Sequence, residues 1–324
     1  MVLVTGASGF LGSELVKQLV ANGEQVRIIK RSTSNGLHLA PSPFIEIVEG
    51  DILDVPSLEA AFEQVEKVYH LAAIIAFDSP TFDAMYKCNI EGTANVVNVA
   101  LSKGVKKLLY VSSIAAIGGK PNELITETTK WEQTKWTSNY GITKMLAERE
   151  VWRGIQEGLE AVIVNPGIII GLGNNPNKAT NQLFKNIANG KMPFYSNGTN
   201  GFVSVTDVAN ICIQLMNSNT HSERFILVSD NCSYKQYFDY IATALNVAPP
   251  KRILNKYNGF VAVLFDKIIS KITQRKRKLT TENLTISLAS FEYSNAKIKQ
   301  QLNYNFTSIE NTVNSIALQI NKHE

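Results

Sequence analysis

The stretch Val4-Thr5-Gly6-Ala7-Ser8-Gly9-Phe10-Leu11-Gly12 joins an apolar run, typical of a buried strand, to a helical pattern. Its glycines follow the spacing G-x-x-G-x-x-G, one residue longer than G-x-G-x-x-G between the first two. In a strand–turn–helix unit the first glycine permits a tight turn, the second lets backbone approach a pyrophosphate, and the third lets the helix pack closely. The N–H groups and positive dipole end of that helix favour phosphate. The stretch therefore predicts a dinucleotide site formed by Thr5, Gly6, Ser8, Gly9, Phe10, Leu11 and Gly12.

The N-terminal half of the chain repeats this unit. Short β-branched runs alternate with helical patterns, which predicts an α/β fold: a Rossmann-type, doubly wound parallel sheet with helices on both faces. In such sheets ligands bind beyond the carboxyl ends of the strands. The predicted strands are Val2–Thr5, Val26–Ile29, Ile45–Glu49, Lys67–Leu71, Leu108–Ser112 and Ala161–Asn165. The predicted helices are Phe10–Asn22, Pro56–Gln64, Phe82–Lys103 and Tyr140–Glu157.

The alternation weakens after Pro166, where loops rich in Gly, Asn and Pro separate the remaining helices. We expect residues 1–165 to form a nucleotide-binding domain and residues 166–324 to form mainly a smaller substrate-binding region. Residues 202–229 are expected to return to the first domain, with Val203–Val205 and Arg224–Val228 joining the main sheet.

The composition and charge of the chain favour some classes of protein over others. A net charge of +4 over 324 residues is mild and gives no reason to expect a nucleic-acid partner. Three cysteines without C-x-x-C spacing favour a reducing compartment, and neither they nor four scattered histidines suggest a metal site. We see no signal-peptide pattern and no apolar run of the roughly 18 residues that could cross a bilayer. We therefore expect a cytoplasmic protein.

The end of the second predicted strand bears on the choice of cofactor. Sites that prefer NAD usually place Asp or Glu there, against the ribose 2′-hydroxyl. This chain has Lys30-Arg31-Ser32 instead, and two cations with a hydroxyl suit a 2′-phosphate. We therefore favour NADP(H), with NAD(H) possible and a merely solvated turn as the alternative. After the third strand, Asp51-Ile52 is expected to face the adenine, although Asp in this place often only caps a helix.

Tyr140 and Lys144 are four residues apart, which places them on one face of a helix, and Ser112-Ser113 ends a strand upstream. This Tyr–Lys pair belongs to a set of motifs that resembles the extended short-chain dehydrogenases/reductases, the NAD-dependent epimerase/dehydratase family. The other motifs of the set are the glycine triplet, Gly50-Asp51, His70-Leu71-Ala72-Ala73, Asn89 with Gly92-Thr93, and Ser112-Ser113. Six motifs in the family's order make the resemblance specific.

The resemblance implies a role for each matching residue. Tyr140 would exchange a proton with the substrate oxygen. Lys144 and the nicotinamide charge would lower the pKa of that phenol, and Lys144 would also hold the nicotinamide ribose. Ser113, which matches the family's serine better than Ser112, would hydrogen-bond the reacting carbonyl. Leu71, Ala72, Ala73, Pro166 and Gly167 would line the cofactor, and Asn89 would fix the local backbone. His70 is expected to pack at a strand end without chemistry.

Differences from the family pattern indicate which branch of the family this chain resembles. Dehydratases carry an acidic pair after the catalytic Ser or Thr, whereas Ile114 and Ala115 follow Ser113. Enzymes for sugar nucleotides place an Arg against the diphosphate at the position held here by Asn200. The segment Asn165-Pro166-Gly167 and the Lys30-Arg31 pair resemble dihydroflavonol reductases. More loosely, the C-terminal sequence resembles members like 3β-hydroxysteroid dehydrogenase.

We therefore predict an NADPH-dependent reductase of an aldehyde or ketone, with a small-molecule carbonyl or alcohol as substrate. A nucleotide-sugar epimerase and a non-catalytic NADP(H)-sensing protein are the alternatives. On the resemblance alone we expect a homodimer formed through Phe82–Lys103 and Tyr140–Glu157. The apolar stretch Phe260–Ile272, followed by a basic run to Lys278, would lie on a membrane surface or pack within the C-terminal region; we favour packing.

Overall fold

A seven-stranded parallel sheet forms the centre of the molecule. The computed structural model describes residues 1–32, 39–75, 82–172, 179–273, 277 and 279–321. The strands of the central sheet are β1 (Val2–Thr5), β2 (Val26–Lys30), β3 (Ile45–Glu49), β4 (Lys67–His70), β5 (Lys107–Val111), β7 (Ala161–Pro166) and β11 (Glu223–Leu227). Their order is β11-β7-β5-β4-β1-β2-β3, so the crevice lies between β1 and β4, where the order reverses.

Two layers of helices cover this sheet. One buried cluster contains apolar residues of α1 (Phe10–Ala21) and α7 (Val205–Asn217) packed on one face. The other contains residues of α2 (Val55–Ala61), α4 (Gly92–Ser102) and α5 (Asn139–Gln156) on the opposite face. Before α4 the chain forms α3 (Phe82–Tyr86) and a π-helical turn (Lys87–Glu91). Because both faces are buried, the strands are continuous apolar runs, as in β1, which is buried throughout.

The predicted fold class is confirmed. Each strand and helix predicted in residues 1–165 is present with bounds that differ by a few residues at most, apart from the π-helical turn that interrupts 82–103. The expected return of Arg224–Val228 is also confirmed, since β11 pairs with β7 in parallel.

The expectation for Val203–Val205 is wrong. These residues do not join the central sheet. Phe202–Ser204 pairs in parallel with Ile168–Ile170, just beyond the end of β7, and Val205 begins α7. The three strands β8 (Ile168–Ile170), β10 (Thr199–Ser204) and β12 (Asp230–Ser233) form a separate sheet in the order β12-β10-β8. A short apolar run shows that a strand is buried but not which sheet it joins.

The remaining elements lie outside the central sheet. The helices are α6 (Ala179–Ala188), α8 (Tyr234–Ala244), α9 (Lys256–Thr273), α10 (Thr281–Ser287), α11 (Ala296–Leu302) and α12 (Ile309–Asn321). Two strand pairs accompany them: β6 (Leu124–Ile125) pairs with β14 (Glu292–Tyr293), and β9 (Phe194–Ser196) pairs with β13 (Arg252–Leu254). Within the described residues, none of these helices is both long and apolar enough to span a bilayer.

Candidate functional site

The turn between β1 and α1 is built for close backbone contact. Gly6 has φ +74°, a left-handed conformation that disfavours a side chain, and a Cβ there would lie 2.6 Å from the backbone N of Ala72. A Cβ on Gly12 would lie 2.2 Å from the carbonyl oxygen of Gly6. Gly9 occupies the N-cap of α1, and the first turn of the helix holds no acidic side chain. The N–H groups of that turn are therefore placed to bind a phosphate.

A cleft of about 190 Å³ opens beside this turn, at the reversal of strand order. Its walls come from the ends of β1, β2, β3 and β4, as predicted for a dinucleotide. Of the predicted cofactor residues it contains Thr5, Gly6, Ser8, Gly9, Lys30, Arg31, Asp51, Ile52, Leu71, Ala72 and Ala73. Those that do not line it are Phe10, Leu11, Gly12, Ser32, Asn89, Tyr140, Lys144, Pro166 and Gly167.

The charged end of this cleft is the end of β2. Lys30 is half-buried, and Arg31 and Ser32 are exposed at the rim. Asp51 faces the same cleft, and its Oδ1 accepts a hydrogen bond from the N–H of Leu53 at 3.0 Å. Asp54, not Asp51, precedes α2. The residues present therefore fit a dinucleotide with extra negative charge at the end that faces Lys30 and Arg31.

His70 holds the strands beneath the cleft together. It is fully buried at the end of β4. Its Nδ1 lies 2.7 Å from the hydroxyl of Thr5 and its Nε2 lies 3.0 Å from the hydroxyl of Thr93. The Thr5 hydroxyl also accepts from the N–H groups of Leu71 and Ala72, both at 3.2 Å. Burial, aided by the charge of Lys144, lowers the pKa of His70 to about 3, so the ring is neutral.

Asn89 performs a similar function for the segment after β4. Its Oδ1 accepts from the N–H of Ile74 at 2.7 Å, and its Nδ2 donates to the Ile74 carbonyl and the Thr143 hydroxyl, both at 3.0 Å. One side chain thus ties a cofactor-facing loop to α5. Asn89 lies in the π-helical turn, which directs its side chain at this loop.

The predicted catalytic hydroxyls meet above β5. Ser138 caps α5 by accepting from the N–H of Gly141 at 2.9 Å, so the helix begins beside Tyr140. The phenol of Tyr140 is hydrogen-bonded to Ser113, whose Oγ also accepts from the N–H of Ala115 at 3.2 Å. The neighbouring Ser112 hydroxyl is buried without a partner among the described residues. The structure therefore brings Ser113, rather than Ser112, to Tyr140.

Lys144 lies one turn after Tyr140 but contacts a different phenol. Its Nζ donates to the hydroxyl of Tyr110 at 2.6 Å and to the carbonyl of Val111 at 2.8 Å. Burial lowers the pKa of Lys144 to about 7, partly offset by the charge of Glu148. Burial likewise raises the pKa of Tyr110 well above its usual range. The sequence did not single out Tyr110, because a phenol inside an apolar strand gives no signal of its partner.

The expected effect of Lys144 on Tyr140 is not present in this arrangement. Burial raises the pKa of Tyr140 to about 12, and the hydrogen bond from Ser113 lowers it in part. Because the Lys144 ammonium is directed at Tyr110 and Val111, it does not lower the pKa of the Tyr140 phenol here.

Asn200 is engaged inside the protein. Its Oδ1 accepts from the N–H of Gly201 at 2.8 Å, and its Nδ2 lies 3.4 Å from the hydroxyl of Tyr234. Ile114 and Ala115, the residues after Ser113, form a short 3₁₀ turn. Neither position offers a charged group to a substrate.

A larger depression lies away from these side chains. It measures about 1,200 Å³ and runs between α1, α6 and α12. Phe10 and Gly171 line its inner end, whereas none of Ser113, Tyr140 and Lys144 is among its described walls. The three side chains predicted to be catalytic therefore lie outside this depression, at the carboxyl end of β5 and the start of α5.

Known proteins resemble this chain over most of its length. The profile of the NAD-dependent epimerase/dehydratase family matches residues 2–227. Sterol demethylase protein B of Methylococcus capsulatus is 29% identical over 239 residues, which cover 74% of this chain and 73% of that protein. Anthocyanidin reductase of Arabidopsis thaliana is 28% identical, with 93% of each chain covered. The crystal structure of gox2253 superposes with a TM-score of 0.85 at 30% identity, covering 100% of this chain and 98% of that one.

Proposed function

Because the chain belongs to the NAD-dependent epimerase/dehydratase family and is an oxidoreductase of the extended short-chain type, we propose that it reduces an aldehyde or ketone with NADPH. The observation that carries the proposal is the hydrogen bond between Tyr140 and Ser113, one helical turn from Lys144. The likeness to an anthocyanidin reductase and a sterol demethylase component supports an organic, largely apolar substrate.

Tyr140, Ser113 and Lys144 each have a separate role in the proposed reduction. The chemistry that a nicotinamide cofactor would supply, when bound in the cleft, is the hydride for the carbonyl carbon. Tyr140 donates its phenolic proton to the carbonyl oxygen, and Ser113 donates a hydrogen bond to the same oxygen as its charge develops. Lys144 would hold the nicotinamide ribose, and it would favour the phenolate of Tyr140 once its ammonium turned from Tyr110 and Val111 towards that phenol. The turn from Gly6 to Gly12 would hold the pyrophosphate through the backbone N–H groups at the start of α1.

We propose NADP(H) as the preferred cofactor, with Lys30, Arg31 and Ser32 binding the 2′-phosphate. A Lys30→Ala/Arg31→Ala variant should lose at least about tenfold in affinity for NADP⁺, since each ionic contact to phosphate contributes about 1.5–3 kcal/mol at best and less at an exposed rim. Its affinity for NAD⁺ should change little. Isothermal titration with both cofactors measures the difference, and a wild-type preference for NAD⁺ would contradict this assignment.

Asn200 argues against a nucleotide-sugar epimerase. An amide engaged with Gly201 and Tyr234 offers no bidentate cation to a diphosphate. The experiment is a carbonyl panel assayed by loss of NADPH absorbance at 340 nm, in parallel with UDP- and GDP-sugars. Turnover of a carbonyl supports the reductase. Isomerisation of a sugar nucleotide with tightly retained cofactor would replace it with an epimerase, and tight NADPH binding without turnover would favour a sensing protein.

We further propose that the enzyme works in the cytoplasm as a homodimer joined through α4 and α5. All three cysteines are free, which suits a reducing compartment. Light scattering of the purified protein tests the oligomer, and a monomer at micromolar concentration would contradict it.

A further inference from the structure

Helix α9 has the reverse of the usual arrangement of apolar and polar faces. Its buried stripe consists of Gly259, Val263, Asp266 and Ser270. This stripe packs on α10, where Leu284 contacts the Gly259 backbone, and Asp266 accepts from the N–H of Leu279 at 3.1 Å. Val263 packs as the favoured expectation for Phe260–Ile272 required, but the expectation is wrong for the other large apolar residues of the stretch, which are exposed.

The apolar face of α9 points away from the protein. At 3.6 residues per turn its large side chains fall opposite the buried stripe. Tyr257 is 84% exposed, Phe265 62% and Ile272 76%. The face comprises Tyr257, Phe260, Val261, Leu264, Phe265, Ile268, Ile269 and Ile272, and Ile253 of the preceding strand is also exposed. A contiguous patch of this kind on a folded protein marks an interaction surface.

The sequence segment that contains this face is strongly basic. Residues 251–278 contain nine Lys or Arg and a single acid, Asp266, which lies on the buried stripe. The rest of the chain therefore carries net negative charge, since the whole chain is only +4. Lys256, Lys267 and Lys271 are exposed on α9, while Arg275, Lys276 and Lys278 lie outside the described residues.

We propose that the α9 face docks on an anionic lipid bilayer, with the helix lying in the plane of the interface. Aliphatic and aromatic side chains flanked by lysines, whose long stems let the ammonium groups reach the headgroups, are the composition of an interfacial helix. A second copy of this chain fits less well, because two such faces would bring like charges together.

Docking would place the reaction centre near the membrane. Helix α10 joins α9 to the start of α5, where Glu282 Oε1 accepts from the N–H of Asn139 at 3.2 Å, next to Tyr140. The bilayer surface is thus two helices away from the Tyr140 phenol.

The test is flotation of the full-length protein with phosphatidylcholine vesicles, with and without phosphatidylglycerol. We expect binding to the anionic vesicles and its loss when salt is raised from about 0.1 M to 1 M, which shortens the Debye length from about 10 to 3 Å. Phe265→Glu/Ile268→Glu and Lys267→Glu/Lys271→Glu should each lower the partition coefficient at least about tenfold. Leu318→Glu, at an apolar residue of α12 that is 64% exposed, and Lys299→Glu are the matched controls and should bind normally.

Melting temperatures show that each variant is folded. Absence of wild-type binding, equal binding to neutral vesicles, or an equal loss in the controls would overturn the proposal. A dimer that Phe265→Glu/Ile268→Glu dissociates, without vesicle binding, would assign the face to a second copy instead.

Discussion

Replacing Gly12 by alanine should separate α1 from the turn that precedes it. The new Cβ would lie 2.2 Å from the Gly6 carbonyl oxygen and 2.8 Å from the Ala7 Cα. Ordinary contact begins at about 3.5 Å, so the overlap is roughly 1 Å. Both neighbours are backbone atoms and cannot rotate away. The helix must therefore move by about that distance, at a cost of about 1–3 kcal/mol, the usual range for overpacking.

The same movement should weaken cofactor binding. Displaced N–H groups of the first turn would lose part of their contact with the pyrophosphate, and a loss of about 1–2 kcal/mol corresponds to roughly 5- to 30-fold in the dissociation constant. Titration with NADP⁺ and thermal unfolding measure the two effects. Lys17→Ala, on the exposed face of the same helix, is the control and should change neither. Gly12→Ala binding NADP⁺ within about twofold of the wild type would refute the reasoning.

Two further predictions concern the buried network beneath the cleft. Burial lowers the pKa of His70 from 6.5 to about 3, so between these pH values the folded chain binds fewer protons than the unfolded chain. The contribution of His70 to the free energy of unfolding is therefore complete above pH 6.5 and is lost as the pH falls. In urea unfolding, this group should lower the free energy of unfolding by up to about 1.4 kcal/mol for each pH unit below 6.5. The decline should be shallower in His70→Gln, and the same dependence on pH in both proteins would contradict the lowered pKa of His70. Asn89→Ala should cost about 2–4 kcal/mol, because the Ile74 N–H and carbonyl lose their partner. The control Asn210→Ala, on the exposed face of α7, should cost under about 1 kcal/mol, and equal unfolding midpoints for the two variants would contradict this.

Local sequence determines much of this fold. The strand at Val2–Thr5 and the helix from Phe10 were predictable because β-branched runs and the glycine turn each restrict the backbone within a few residues. The meeting of Ser113 with Tyr140 followed from the family's spacing. Each of these features depends on short segments or on a motif, which a single sequence contains in full.

Contacts between distant segments were not predictable in the same way. Lys144 and Tyr110 are separated by 34 residues, and His70 joins residues 65 and 23 positions away. For α9 the periodicity of the apolar residues was visible in the sequence. The assumption that apolar faces point into the protein nevertheless placed that face in the core, whereas it is exposed. The residues that do pack inward include Gly259 and Asp266, whose burial depends on the geometry of α10.

The role of Tyr140 as proton donor is tested most directly by the single-turnover rate of NADPH oxidation by a carbonyl substrate in Tyr140→Phe. If Tyr140 donates the proton, this rate is at least about 100-fold below that of the wild type, the usual scale for a lost proton donor, and the affinity for NADPH is nearly unchanged. Tyr240→Phe, at a phenol that accepts from Gln236 on α8, serves as the control. A Tyr140→Phe enzyme that turns over at the wild-type rate would contradict the proposal that Tyr140 supplies the proton.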